Sequence, residues 1–482
     1  MKVLIIAPYA IWTPHHETDL EIAQRHLDEN DEVVMLVCNA SLTFCDPNPD
    51  HRFSTCLRCI GRRKIGFGQL RSRIRTRPII NLTQCDKEAL SHLQTTFSSV
   101  EELKDCRVEE FDIGWAVLSS FISWRRDPEF NICEDSNRAA VQLLFSNAFA
   151  VYRSVLNYLR SEAFDLAYVF NGRMALTRAA FRACLQERVT CFVHDRGCDF
   201  QHYDLYENVL PHDITYAEQK MRQAWQAADP IKREQIGCQF YEERAQGKKQ
   251  NWISFVSGQN PALLPENFSY GDRNVVIFTS SEDEFVAIGD QWKNSIYRNQ
   301  LEGLKNITKD LTPDNRIHLF IRIHPNLTGV NVNDVKETLR LEAHNVTVIP
   351  PNSPVSSYAL LKNAERVLTF GSTMGIEASF WGKPSILAGI SFYRNLGATF
   401  NPHSHQEVMQ LLRKKSLSCK PQEGALMYGY YEKTRGVKFQ YFEGIDVRDG
   451  LFNNIRIRPS LPYWFLGRSL SLFEKIFGQY ST

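Results

Sequence analysis

The chain has 482 residues, 43% of them apolar and 23% charged, a composition that excludes a disordered or fibrous protein. That length exceeds what one hydrophobic core ordinarily supports, so at least two domains are expected. The 56 basic and 55 acidic side chains leave a formal charge of +1, so no overall field draws the protein to a membrane, and nucleic acid is not an expected partner.

The first residues, MKVLIIAPYAIW, read as a strand, because the run meets Pro8 and Pro14 without a small-residue cleavage site. No stretch approaches the ~18 apolar residues of a spanning helix. Twelve cysteines in a long chain with no export signal point to a reducing cytoplasm. Val3 to Ala7 is apolar throughout, as a strand covered on both faces would be. Thr18-Asp-Leu-Glu21 has capping-box spacing ahead of the stripe Leu20, Ala23, Leu27. Glu32 to Val37 is a second strand.

Residues 39–80, rich in Cys, Arg and Pro, read as an insertion in the first domain. Cys56 and Cys59 have the CxxC spacing by which two thiolates hold a tetrahedral zinc, with Cys38 and Cys45 to complete a structural site. Free thiols in an ordinary loop and an iron–sulfur cluster are the alternatives. Nine Lys or Arg residues between Arg52 and Arg77 make either a solvated face or a contact for an anionic acceptor or the inner leaflet of a membrane.

Residues 136–161 form a long helix. FDLAYVFNGR is a strand that opens into a loop carrying Asn171 and Arg173, and VTCFVHDRG is another, carrying His194 and Asp195. The polar stretch 220–250 is helix-prone and closes the first domain. From Asn274 the alternation restarts. NVVIFTSS ends at Ser280 and Ser281, HLFIRIHPN at Arg322 and His324, and NVTVIPP follows. SPVSSYALLKNA is a helix capped by Ser353, and ERVLTFGST, MGIEASFW and PSILAG read as strand, helix and strand. Two such arrays predict an α/β protein with two doubly wound sheets: residues 1–265, 266–410, and a tail 411–482 packed back on the first domain. The aromatic YWFLGRSLSLF in that tail also suits a membrane interface.

Ligands of open α/β sheets bind beyond the carboxyl ends of the strands. There, Gly371, Ser372 and Thr373 precede a helix whose first amides suit a phosphate, with Gly371 and Gly375 admitting close approach. Glu377, one turn later, suits a ribose diol. The plainer reading is a tight turn with a serine cap. His324 can donate to a phosphate oxygen or protonate a leaving group, and Arg322 shares its strand face.

RIHPN followed by TFGSTMGIEASFWGKPSI resembles the C-terminal half of GT-B glycosyltransferases of the capsule and surface-polysaccharide type. HHETDLEIA, VFNGR and HDRG are similar to the same group, so the resemblance spans roughly residues 1–400. It implies two Rossmann-like domains facing across a cleft, and inverting, metal-independent transfer of a sugar. The donor would be UDP-, CMP- or CDP-linked, and the acceptor a glycan or lipid-linked glycan at the inner face of the plasma membrane. His324, Ser280, Ser281, Arg322, Gly371, Ser372, Thr373 and Glu377 would hold the donor. Asp195 or His16 would be the base, with His194 behind them and Asn171 and Arg173 on the acceptor side. No Asp-X-Asp motif stands at a strand end, in keeping with no catalytic metal. A sugar-nucleotide 2-epimerase and a non-catalytic nucleotide- or glycan-binding assembly protein are the competing readings.

Overall fold

The computed structural model describes residues 1–459, apart from 272, 331 and 332, together with 463 and 466–471. It divides into two compact units. The first holds residues 1–212 and the chain from Arg435 onward; the second holds residues 213–434.

In the first unit, β1 (Lys2–Ala7), β2 (Glu32–Val37), β3 (Arg75–Pro78), β4 (Leu166–Phe170) and β5 (Thr190–Arg196) are parallel. β6 (His202–Glu207) runs antiparallel on β5. β1 lies between β2 and β4, so the strand order reverses at β1. β1 is buried from Val3 to Ala7 because helices cover both of its faces, which is why its sequence does not alternate. The segment expected to be an insertion is instead a crossover: the helix Phe53–Phe67 joins β2 to the parallel β3. Its inward face buries Arg62 and Arg63 as well as Gly61 and Gly66, so no apolar stripe announced it. The helix Asp135–Ser161 is apolar and long enough to cross a membrane by length and composition, contrary to the expectation that no stretch came close. Two-thirds of its apolar window is buried inside the unit, where it packs on the helices Ile113–Arg125 and Ala175–Gln186.

In the second unit, β7 (Arg273–Phe278), β8 (Ile317–Arg322), β9 (Val346–Ile349), β10 (Arg366–Thr369) and β11 (Ser385–Leu387) form a wholly parallel sheet in the order β11-β10-β7-β8-β9. Here the order reverses at β7. Side chains of β7 alternate between two cores: Val275 and Ile277 pack with Leu304, Ile307 and Val408, and Val276 and Phe278 with Leu360, Leu361 and Ala378. Each fully buried Val, Ile or Phe contributes about 1.5–3 kcal/mol, so this strand is the anchor of the unit.

The helices Ile214–Ala227 and Pro230–Ala245 belong to this second unit, so the boundary falls at 212 rather than 265. Their apolar side chains Met221, Trp225, Phe240 and Tyr241 share a core with Ile376, Phe380 and Tyr393. The helix Glu423–Thr434 completes that layer, so the second unit also extends past 410. Beyond it, β12 (Val437–Lys438) pairs with β6, and the hairpin β13 (Phe442–Asp446) and β14 (Asp449–Phe452) follows. Phe439, Phe442 and Phe452 join Val3 and Ile5 in the first core. Most of YWFLGRSLSLF lies outside the described residues.

Candidate functional site

The second unit gathers its candidate residues at the carboxyl edge of β7, where the strand order reverses. The loop after β7 carries Ser280 and Ser281; β8, on one side, leads to His324; β10, on the other, leads to Gly371, Ser372 and Thr373. A Cβ placed on Gly371 would stand 3.6 Å from the Ser280 hydroxyl and 2.8 Å from the Ile390 carbonyl. The His324 amide donates to Thr279 Oγ1 at 2.9 Å, which ties the β8 loop to the β7 loop. Ser280 Oγ is buried and has no hydrogen-bond partner among the described residues. Such a hydroxyl costs about 1–3 kcal/mol, a cost that a bound anion relieves.

His324 caps a short 3₁₀ turn, its Nδ1 accepting from the Asn326 amide at 3.1 Å. That bond places the neutral ring's proton on Nε2, the donor edge. Phe255 meets the ring edge-on at 4.9 Å.

Several expected roles change. Ser281 gives its hydroxyl proton to Asp283 at 2.8 Å, so its side chain is committed within the loop. Arg322 is 2% exposed and donates to the carbonyls of Pro350 and Ser353, which binds it to the β9 loop rather than to a ligand. Burial lowers its guanidinium to about 10. Glu377 is fully buried: Arg244 Nε lies 3.1 Å from Oε1, and Tyr358 donates to Oε2. It offers no surface to a ribose. Gly375 makes room for Tyr393, whose hydroxyl donates to the Ser372 carbonyl at 2.6 Å, rather than for a ligand. The first amides of the helix Met374–Phe380 are partly taken: Met374 N donates to Ser372 Oγ and Gly375 N to the Ser372 carbonyl. Ser356, not Ser353, caps the helix Ser357–Asn363.

Sequence reading missed Arg244, whose Nη2 donates to Thr373 Oγ1 at 3.2 Å. Burial works against its charge, but Glu377 together with Tyr358 and Tyr428 outweighs that and raises the guanidinium. It stands far back in the chain, in a helix that reads only as polar.

In the first unit, His194 and Asp195 lie within β5 rather than after it. His194 is fully buried and pairs with Asp19 through Nε2 at 2.9 Å. Asp195 accepts from Asn171 Nδ2 at 2.7 Å, and Asn171 takes a left-handed φ of 57° beside Gly172. Arg173 Nη2 reaches Ser123 Oγ at 3.2 Å. His16 is 1% exposed, against Leu20 and Gly66, with neither ring nitrogen bonded. Burial, then Arg62 and Arg63, hold its pKa well below the ordinary histidine value. It is therefore neutral and sealed from any acceptor. The helix it begins starts at His15, so Thr18 is interior and donates to the Pro14 carbonyl instead of forming a capping box.

Together with Asp449, Glu17 lines a cavity of this unit, though only 2% of it is exposed. Its Oε1 is bonded by Arg62 and Thr13, while its buried Oε2 has no partner among the described residues. Burial raises its pKa, and Arg62 opposes the rise. Glu17 is one of two acids inside HHETD, and nothing in its spacing marks it.

Cys38, Cys45, Cys56 and Cys59 line one small cleft of about 20 Å³. Three sulfurs are already engaged: Ala10 N donates to Cys59 Sγ, Asn48 Nδ2 to Cys56 Sγ, and Cys38 Sγ lies 4.0 Å from Ser41 Oγ. Among the described residues, the groups with three ligand atoms within 4.8 Å of one another are Cys198, Asp199, His202 and His26, Glu29, Asp31. The four thiols as arranged do not make the closed tetrahedron a structural zinc takes.

Each unit is thus a doubly wound, Rossmann-like α/β fold, and the second places small and hydroxylated residues at the reversal point where such sheets bind ligands. Residues 273–420 match the model of the family described as capsule polysaccharide biosynthesis protein, in keeping with the resemblance read from its motifs. Among solved structures, the chain is similar to the KpsC beta Kdo 2,4 transferase of Thermosulfurimonas dismutans, at 14% identity over 56% of this chain and 80% of that one, TM-score 0.37. The beta Kdo 2,7 transferase KpsC of the same organism aligns at 15% identity over 66% and 89%, TM-score 0.36. The UDP-GlcNAc 2-epimerase of Neisseria meningitidis bound to UDP-GlcNAc aligns at 12% over 91% and 95%, TM-score 0.28. No curated protein matches the chain.

Proposed function

We propose that the protein is a glycosyltransferase of capsule or surface-polysaccharide synthesis, using a nucleotide-sugar donor bound by its second unit. The observation that carries this reading is the set of three loops around β7, with the orphan Ser280 hydroxyl beside Gly371 and the Nε2 edge of His324 on the neighbouring strand. The family match over residues 273–420 supports it. In the reaction, the bond from the anomeric carbon to the donor phosphate breaks and its electron pair leaves with the nucleotide. His324 and Ser280 stabilise that charge by hydrogen bonds. The acceptor hydroxyl forms the new bond and gives up its proton to a general base.

A panel of UDP, CMP, CDP and GDP tests the donor site by thermal shift, since selective binding stabilises the folded state. One pyrimidine nucleotide is expected to raise the midpoint, and Ser280→Ala and His324→Ala to reduce that rise. No response to any nucleotide overturns the reading. Turnover of the nucleotide sugar without acceptor would favour an epimerase.

A further inference from the structure

The first unit contains a cavity of about 350 Å³ at the carboxyl end of β1, the reversal point of that sheet. Five guanidinium groups line it, against two carboxylates: Arg58 and Arg62 from the helix Phe53–Phe67, and Arg448, Arg456 and Arg458 from the hairpin turn and the segment after it. Two of the five are neutralised. Arg62 is buried, pairs with Glu17, and donates to the carbonyls of Ala10, Ile11 and Ile457, so it builds the floor. Arg456 pairs with Asp449 at 2.8 Å. Arg58, Arg448 and Arg458 have no carboxylate in salt-bridge range among the described residues.

Three unpaired cations from separate elements repel one another unless an anion lies between them. The charge of Arg448 is felt nearby. Arg196 on β5, whose Nη2 donates to the Thr13 and Val447 carbonyls, is lowered to about 10 by burial, held up by Asp195 and pushed down by Arg448. Guanidinium forks match the oxygens of phosphate in charge and geometry. A cavity of this size holds a diphosphate with an attached sugar ring. The sequence showed basic residues at 52–77 only; the fold adds those at 448–458, and it is the combination that makes a site.

We propose that this cavity binds a phosphate or diphosphate group carried by the molecule that receives the sugar. The acceptor role rests on the transferase reading, but the anion site does not.

Titration calorimetry of the full chain with inorganic pyrophosphate tests it. A Ser280→Ala, His324→Ala background suppresses phosphate binding by the second unit. Wild-type arginines should bind pyrophosphate, more weakly as salt rises. Arg448→Ala with Arg458→Ala should weaken binding at least tenfold. Both side chains are exposed, so folding should survive; the single substitutions give the same reading if the pair does not. Undiminished binding by the double variant, or none by the parent, overturns the proposal. Sedimentation with phosphatidylglycerol and phosphatidylcholine vesicles then separates the sources. Capture by phosphatidylglycerol alone, lost in the double variant, means a lipid-borne phosphate. Pyrophosphate binding without capture means a soluble bearer. Because nucleotide binding should persist in the Arg448 and Arg458 variants, failure of the donor reading and failure of this one are separable.

Discussion

The carboxylate of Glu377 lies 3.1 Å from Nε of Arg244, a residue from a helix that the sequence placed in the other domain. Through Arg244 the same network reaches Thr373 Oγ1, so a buried ion pair holds the loop after β10. Arg244→Ala should strand the Glu377 carboxylate in the core. Loss of one partner of a fully buried pair costs about 3–5 kcal/mol; Arg244 is one-third exposed, so the cost should fall below that range. Urea denaturation of the full chain measures it. Arg244→Ala should also blunt the nucleotide-induced thermal shift, because Thr373 loses its partner. A variant with unchanged midpoint and unchanged nucleotide response would show that the pair does neither job.

Gly375→Ala should destabilise the second unit through two close contacts. The new Cβ would lie 2.4 Å from Tyr393 Oη and 2.6 Å from Thr369 Oγ1, and Tyr393 would have to leave the Ser372 carbonyl. Overpacking of this kind costs about 1–3 kcal/mol. Tyr393→Phe removes the clashing oxygen, so the double variant Gly375→Ala, Tyr393→Phe should recover part of the loss. If the two effects simply add, the glycine serves another purpose.

The strands were legible because a strand covered on both faces is apolar without interruption: Val3 to Ala7, Val33 to Val37 and Val275 to Phe278 could be read directly. The loops after them were legible by the same logic. What sequence could not convey was where buried polar groups go. Arg62, Arg63, Arg322 and Glu377 look like surface or ligand-facing residues by type, and each is buried against carbonyls, an amide side chain or ionic partners that come from distant segments. The helix Phe53–Phe67 was hidden for the same reason, and the helices at 214–245 changed domain because their apolar partners, such as Ile376 and Tyr393, lie far along the chain.

The cysteine cleft makes a direct test of thiol chemistry. Burial raises the pKa of Cys45 well above the ordinary value and raises that of Cys59 too, so both thiols are neutral unless a metal displaces their protons. Protein purified without added metal is expected to carry less than one zinc per chain by elemental analysis. Cys38, Cys45, Cys56 and Cys59 should all be alkylated after denaturation without a chelator. One zinc per chain, lost in Cys56→Ser, would mean that the four thiols close around a metal in solution.

His16 should make stability depend on pH. Its folded pKa lies well below the 6.5 of an unfolded chain, chiefly through burial. As pH falls through about 6.5, the unfolded state takes up a proton that the native state refuses, so stability declines, by up to about 1.4 kcal/mol per pH unit for one group. His15, also lowered well below its ordinary value by burial and then by Arg196, His194 and Arg62, acts in the same direction. Glu17 and Asp19, whose pKa values are raised by burial, act oppositely at lower pH, because the native state binds their protons first. The His16 contribution is therefore read as a difference. His16→Leu removes the titrating ring and two unbonded buried nitrogens while keeping an apolar contact with Leu20. Relative to the parent, this variant should gain stability steadily in urea titrations from pH 7.5 to pH 5. A difference that stays constant over that range would mean that His16 is protonated in the native protein, and the sealed, neutral ring would have to be abandoned.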